Sequence, residues 1–271
     1  MSHTVTKALS VAAVAAMACG AHAASIFEDF DPFTGSLAIN KTDDPVVGFA
    51  ADPLDATNTM VEITMQGGDE AVLLTADLGA GTFFEVSARV AANDTGQLEI
   101  DFSNGGFGLT AAGSANEADT LENNPFLADT GTSGYKLLIQ SNFSDTQQRL
   151  VLRQNGADLA SSDILGDLTD SFDQYDVLLT LTGTTQANGD VELIGTLLDN
   201  LGGDDNTTVQ ATVPAASVEI GTDYGIAQLK YGSGNPSRAL FDDVSITVIP
   251  EPSSLLLLAG AMASAMRRCR R

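Results

Sequence analysis

The strongest constraint on the fold is a period-two alternation of apolar and polar residues that recurs between Ala24 and Ile249. It runs through Met60-Val-Glu-Ile-Thr-Met65, Phe83-Phe-Glu-Val-Ser-Ala-Arg-Val90, Gln97-Leu-Glu-Ile-Asp-Phe102, Lys136 to Gln140, Arg149 to Arg153, Asp176 to Thr182, Val191 to Leu198, Val209 to Val213 and Leu240 to Val248. Successive side chains of a strand point to opposite faces, so each segment reads as a strand with one apolar face. Between them stand Gly67-Gly68, Asn93-Asp94, Asn104-Gly105-Gly106, Asn155-Gly156, Asn188-Gly189 and Gly202-Gly203. Asn188-Gly189 is the best hairpin candidate, because a type I′ turn needs positive φ at both central residues. Many short strands joined by close turns predict an all-β sandwich or barrel. Ala111 to Gly134, rich in Ala, Asn, Asp, Gly and Thr, reads as a long excursion loop. No repeat of fixed period and no second domain boundary is visible.

The two ends have a different grammar. Met1 to Ala23 has a basic Lys7, a mostly apolar stretch from Ala8 to Gly20, and Ala21-His22-Ala23 in the small-x-small cleavage pattern. That predicts a secretory signal peptide over 1–23, cut after Ala23. At the other end, Pro250-Glu251-Pro252 is a rigid extended tripeptide. An apolar run, 253–266, follows and gives way to Arg267, Arg268, Arg270 and Arg271. As a helix the run spans about 21 Å against a hydrocarbon core of about 30 Å, which makes a weak permanent anchor. Its arginines belong on the cytoplasmic side, so the middle of the chain lies outside.

Both cysteines (Cys19, Cys269) and both histidines (His3, His22) fall in these ends. The middle therefore offers no disulfide, no Cys/His zinc site and no Ser-His-Asp or Cys-His catalysis. The chain has 12 basic and 36 acidic residues. Lys7 and the four tail arginines lie in the ends, but of the acids only Glu251 does, so the middle sets seven cations against thirty-five acids. A charge of that sign repels nucleic acid and anionic lipid, and both are excluded as partners of the middle.

The tail resembles the bacterial PEP-CTERM sorting signal, with the Pro-Glu-Pro motif, short transmembrane segment and Arg-rich end in order. Cys269 interrupts the arginine run. The resemblance implies a secreted protein handed from the secretion translocon to an exosortase, with transient membrane insertion through the tail. It implies that Pro250, Glu251 and Pro252 are the recognition residues. It also implies a cell-surface or extracellular-matrix destination and an association with exopolysaccharide and biofilm. A second resemblance is carried by Tyr224-Gly-Ile-Ala-Gln-Leu229, a loop, and Leu240-Phe-Asp-Asp-Val-Ser-Ile246, which looks like the closing hairpin of concanavalin A-like lectin/glucanase sandwiches. The fold expected is therefore a jelly-roll β-sandwich over 24–249, flanked by the signal peptide and a short C-terminal transmembrane helix. Ile26-Phe-Glu-Asp-Phe30 is expected to pair with the terminal strand, as chain ends do in jelly rolls.

Glu99-Ile100-Asp101 is the sharpest enzymatic hint, since sandwich glycosidases of the laminarinase type carry Glu-x-Asp-x-x-Glu on one strand. Two close carboxylates suit retaining glycoside hydrolysis. The third position here is Asn104. The plainer reading is an amphipathic strand with Leu98, Ile100 and Phe102 inward, and the chain is read as a non-enzyme. Calcium is the only cofactor its oxygen-rich inventory admits. Asp242, on the face of Leu240, Val244 and Ile246, would be a buried carboxylate needing a partner, with Glu28 or Asp29 sharing the ion. Gly203-Asp204-Asp205-Asn206 is a second acidic loop. Otherwise no cofactor is expected. A carbohydrate-binding or glycoside-hydrolysing sandwich is the alternative to a non-catalytic surface role.

Overall fold

The strands are, in chain order, β1 (Ala24–Glu28), β2 (Ala38–Lys41), β3 (Val46–Ala51), β4 (Thr59–Met65), β5 (Glu70–Asp77), β6 (Gly81–Asn93), β7 (Gly105–Gly113), β8 (Tyr135–Ser141), β9 (Gln148–Gln154), β10 (Ala157–Ser161), β11 (Gln174–Thr185), β12 (Val191–Asp199), β13 (Thr207–Val213), β14 (Asp223–Lys230) and β15 (Ser237–Pro250). One 3-10 turn, Ala215–Ser217, lies between β13 and β14. The computed structural model describes residues 23–41, 46–65, 70–93, 105–113, 134–141, 148–155, 157–163, 165, 174–200, 206–218 and 221–250. The Gln97–Phe102 segment with Glu99 and Asp101, residues 203–205 of the second acidic loop, Ala21, and the tail from Glu251 through Arg267, Arg268, Arg270 and Arg271 lie outside them. No helix among the described residues is long and apolar enough to cross a membrane.

The strands form two antiparallel sheets. The first runs β13-β12-β11-β6-β15-β4-β3, with β1 also paired to β15. The second runs β10-β9-β8-β7-β14-β5-β2. They face each other across one core. Val86, Val90, Leu179, Leu181, Phe241 and Ile246 come from the first sheet, and Leu74, Leu109, Leu137, Leu152 and Ile226 from the second. This is the sandwich that the alternation predicted. The expected pairing of the two ends of the domain is present, with Ala24 opposite Val248 and Glu28 opposite Val244.

Three local expectations are corrected. Tyr224–Leu229 and Leu240–Ile246 do not form a hairpin. β14 lies between β7 and β5 in the second sheet, and β15 lies between β6 and β4 in the first. Consecutive strands here close the sandwich by crossing between sheets. The β11–β12 hairpin is where Asn188-Gly189 placed it, but only Gly189 has positive φ (88°). Gly189 N–H donates to the Gln186 carbonyl, and Gln186 N–H to that of Asp190. That is a three-residue loop with glycine at the left-handed position, not a two-residue type I′ turn. Gln154 pairs directly with Ala157 at the start of β10, and Asn155 has φ 47°. Finally, Ala111–Gly113 belong to β7 rather than to an excursion loop.

β15 changes partner halfway along. Ser237 to Phe241 pair with β4, and Val244 to Val248 pair with β1, while β6 lines the other side. The change falls on a bulge at Asp242-Asp243, where Asp243 has φ 49° and the register with β6 shifts. The extra residue reverses the side-chain parity. Ala239 and Phe241 point into the core before it, and Val244, Ile246 and Val248 after it. Asp242 therefore lies on the outer face with Leu240, not on the face of Val244 and Ile246 as strict alternation required.

Candidate functional site

Asp242 sits at the end of a buried charged cluster on the outer face of the first sheet. Its cross-strand neighbour is Arg89 on β6. The Arg89 guanidinium donates from Nε to Asp176 Oδ1 (2.9 Å) and from Nη2 to Asp176 Oδ2 (3.2 Å) on β11. It also donates from Nη1 to Asp52 at the end of β3, and Nη1 lies 3.7 Å from Asp242 Oδ2. Asn58, just before β4, donates from Nδ2 to Asp242 Oδ2 (2.6 Å) and Asp52 Oδ2 (3.3 Å). Asn200 donates to Asp176 Oδ1 (3.0 Å). The Asp52–Asn58 loop is held by Asp52 N–H to the Asn58 carbonyl and by Leu54 N–H to Asp52 Oδ1.

Three carboxylates thus share one guanidinium, and the environment divides them. Burial works to raise Asp52, but hydrogen bonds from Arg89, Leu54 N–H and Asn58, with the Arg89 charge, hold it below its ordinary value of 3.8. Burial raises Asp242, and the Asn58 bond does not offset it. Asp242 Oδ1 is buried without a hydrogen-bond partner among the described residues. Arg89 is pushed upward, with the bonds and charges of Asp52 and Asp176 exceeding the effect of burial.

The candidate cation ligands have separate neighbourhoods. The Glu28 carboxylate accepts Thr34 N–H (2.9 Å), the Thr34 hydroxyl and Ser36 N–H (3.3 Å). Burial pushes this carboxyl up, and those donors hold it below its ordinary value. Asp29 accepts Asp31 N–H at 3.2 Å and is exposed. Asp242 is turned to Asn58 and Arg89. Among the described residues no group of three or more acidic, histidine or cysteine side chains is arranged to hold a metal ion. Sequence reasoning missed Asp52, Asn58 and Asp176 as partners of Asp242. The signal available was Arg89, a rare cation at an outward position in a β-strand.

A second feature is a cavity of about 300 Å³ at one end of the sandwich. Gly81 and Phe84 of β6, Tyr135 of β8, Gly183 of β11, Val191 of β12 and Tyr224 of β14 line it, together with Ala215 and Val218. Phe84 stacks on Tyr135 (6.1 Å between centroids, 15°) and tilts against Tyr224 (5.6 Å, 50°). Gly183 makes room for the Phe84 ring, since a Cβ there would lie 2.2 Å from it. Ala112 in the wall has φ 53°, a left-handed conformation that costs a non-glycine residue about 1–2 kcal/mol. Burial, with the Asp223 charge, pushes the Tyr224 phenol up to about 12. Every lining side chain among the described residues is uncharged.

The cavity shares its end of the sandwich with the point where the chain leaves. Pro250, the last residue of β15, is opposite Gly81. A PEP-CTERM protein-sorting motif model matches residues 248–271. The chain carries a PEP-CTERM sorting signal. The motif begins inside β15, with Val248 buried in the core and paired to Phe84, so the signal is joined to the folded body without a linker.

No curated protein matches the chain. Solved structures resemble it in fold. Lectin II from Ulex europaeus aligns at TM-score 0.54 and 9% identity, covering 85% of this chain and 99% of the lectin. Arcelin-5, a lectin-like defense protein from Phaseolus vulgaris, aligns at 0.52 and 11%, covering 84% and 99%. Lectin I-B4 from Griffonia simplicifolia, in a metal-free form, aligns at 0.50 and 11%, covering 83% and 98%. At these identities the likeness shows the concanavalin A-like fold alone.

Proposed function

We propose that this chain is an exported, exosortase-sorted component of the cell surface or extracellular matrix whose β-sandwich is non-catalytic and associates with exopolysaccharide. The observation that carries the reading is the sorting motif joined directly to β15. Export places the acidic sandwich outside, with the signal peptide removed after Ala23 and the tail processed beyond Pro250. Pro250, Glu251 and Pro252 are the residues the exosortase reads, and Arg267, Arg268, Arg270 and Arg271 stay on the cytoplasmic side until release.

Two structural features support a non-catalytic body. Among the described residues the lining of the end cavity holds no carboxylate, so they offer no acid–base pair for glycoside cleavage there. The cluster around Arg89 holds its carboxylates in mutual ion pairs. Calcium remains a proposed ligand, to be tested by titration of the chelator-stripped protein. Saccharide contact is supported by the fold, since Ulex europaeus lectin II has a structure complexed with galactose.

The test is expression in a host with and without the cognate exosortase, followed by immunoblotting of cell fractions. The expected result is a shortened chain at the surface or in the medium only when the enzyme is present. Glu251→Ala should leave it membrane-bound and full length. A full-length chain in the cytosol with both ends retained overturns the proposal.

A further inference from the structure

The outer face of the first sheet carries an uncharged hydroxyl row that crosses five adjacent strands. Thr208 of β13 is opposite Thr196 of β12, Thr196 opposite Thr180 of β11, Thr180 opposite Ser87 of β6, and Ser87 opposite Ser245 of β15. Phe27 of β1 is opposite Ser245 and extends the row to a sixth strand. Thr180, Thr196, Ser87 and Ser245 are flanked in their strands by core residues or glycine, such as Leu179 and Leu181 around Thr180, and Thr208 is an exposed residue beside core Val209, so all five point away from the core. None of the five hydroxyls hydrogen-bonds to another described residue. Phe27 is 58% exposed. Strand spacing of about 4.8 Å makes the row about 24 Å long.

We infer that this row binds a single extended neutral polysaccharide chain, with Phe27 stacking on a sugar ring at one end. The inference rests on the proposal that the sandwich is exported. Charge selects the ligand. The chain has a net charge of −24, yet no acid falls in the row. On the same face Glu85 stands one row away and Glu192 two rows away, and Arg89 in the row on the other side is ion-paired to Asp52 and Asp176, so the acids repel a polyanion. Hydroxyls both donate and accept, and they match a polymer whose own surface is hydroxyl groups. A sugar residue advances an extended glycan by a distance close to the strand spacing, so successive rings meet successive strands. Sheet twist of about 20° per strand turns the row by about 100° from end to end. A rigid crystalline surface cannot follow that turn, whereas a single chain can. A protein partner fits poorly, since apart from Phe27 the row lacks the aromatic and arginine anchors that carry protein interfaces. The row is also clear of the end from which the tail leaves, because Ser245 precedes Pro250 by five residues, about 17 Å of strand.

The test is affinity electrophoresis of the full chain in mild detergent, through gels containing hydroxyethylcellulose, galactomannan, dextran or alginate. Retardation by at least one of the three neutral polymers, and none by alginate, is expected. Thr180→Val combined with Thr196→Val keeps the β-branched strand preference and removes two hydroxyls. It should weaken retention tenfold or more with an unchanged circular dichroism spectrum, and Phe27→Ala should weaken it severalfold. Should the double variant fail to fold, Thr208→Asp, at an exposed position, carries the same expectation. Passage of the wild-type chain unretarded through all three neutral gels overturns the inference, as does equal retention of a folded variant, stronger retention by alginate, or a dimer in sedimentation that the double variant abolishes. Correct surface sorting without retention would overturn this inference alone, and missorting would overturn the proposal beneath it.

Discussion

The Arg89 cluster and the end cavity are opposite solutions to placing polar chemistry in a sandwich. The cluster concentrates charge in a nearly closed space and offsets part of it internally, with Asp52, Asp176 and Asp242 around one guanidinium. The described lining of the cavity carries no charge and is shaped by rings and by glycines that let those rings approach the backbone. The cluster sits where β15 trades β4 for β1, and its bonds from Asp52 and Asn58 tie the β3–β4 loop across that seam. The cavity sits where the sheets part at the chain's exit. The difference teaches that charge here serves to join strands, while the open concave space is left to uncharged contacts.

The comparison breaks most sharply at Arg89. Arg89→Met leaves buried carboxylates without their cation and should cost about 3–5 kcal/mol, read by urea unfolding. A loss under about 1 kcal/mol would mean that the cluster is not a seam. At the cavity, Gly183→Ala drives a methyl group into the Phe84 ring and should cost about 1–3 kcal/mol, with altered near-ultraviolet dichroism from the Phe84–Tyr135–Tyr224 group.

Within the cluster, pH separates two aspartates. Asp52 is held below 3.8 in the fold. Its contribution is therefore present above that value and lost as pH falls through its folded-state pKa. Asp52→Asn should flatten the acid limb of the stability–pH profile. Asp242 is raised, so its contribution is present below 3.8 and lost as pH rises through its folded-state pKa. Asp242→Asn should therefore raise stability at pH 7 relative to wild type, with the gain vanishing in acid. Identical profiles for the two variants would erase the division of roles. The smallest effect is expected at the loop on the edge of the cavity. Gly189→Ala, at φ 88° in the β11–β12 loop, should cost about 1 kcal/mol by thermal unfolding.

Strands with one wet face were legible because alternation survives in them, as in β12, where buried and half-buried residues alternate from Val191 to Leu197. β5 was not, because Val72, Leu73, Leu74, Thr75 and Ala76 are all buried, and two buried faces erase the alternation. β7, Gly105-Gly-Phe-Gly-Leu-Thr-Ala-Ala-Gly113, carries almost no propensity signal. Its glycines are required by close packing of strands, since a Cβ at Gly108 would lie 2.1 Å from the Leu137 carbonyl oxygen. Asp242 was legible as a carboxylate in trouble, but not its rescuers. Asn58 is 184 residues away and Arg89 is brought to it only by sheet pairing.

The amino-acid sequence by itself determined the strand character of the middle, the lack of imidazole and thiol chemistry there, and the sorting signal, since each is a property of local pattern or inventory. Tertiary structure alone decided which sheet each strand joined, which face Asp242 took after the bulge, and which residues lined the cavity and the hydroxyl row. Those depend on pairing between distant segments, and a one-residue shift at Asp242-Asp243 is enough to reverse the side-chain parity beyond it.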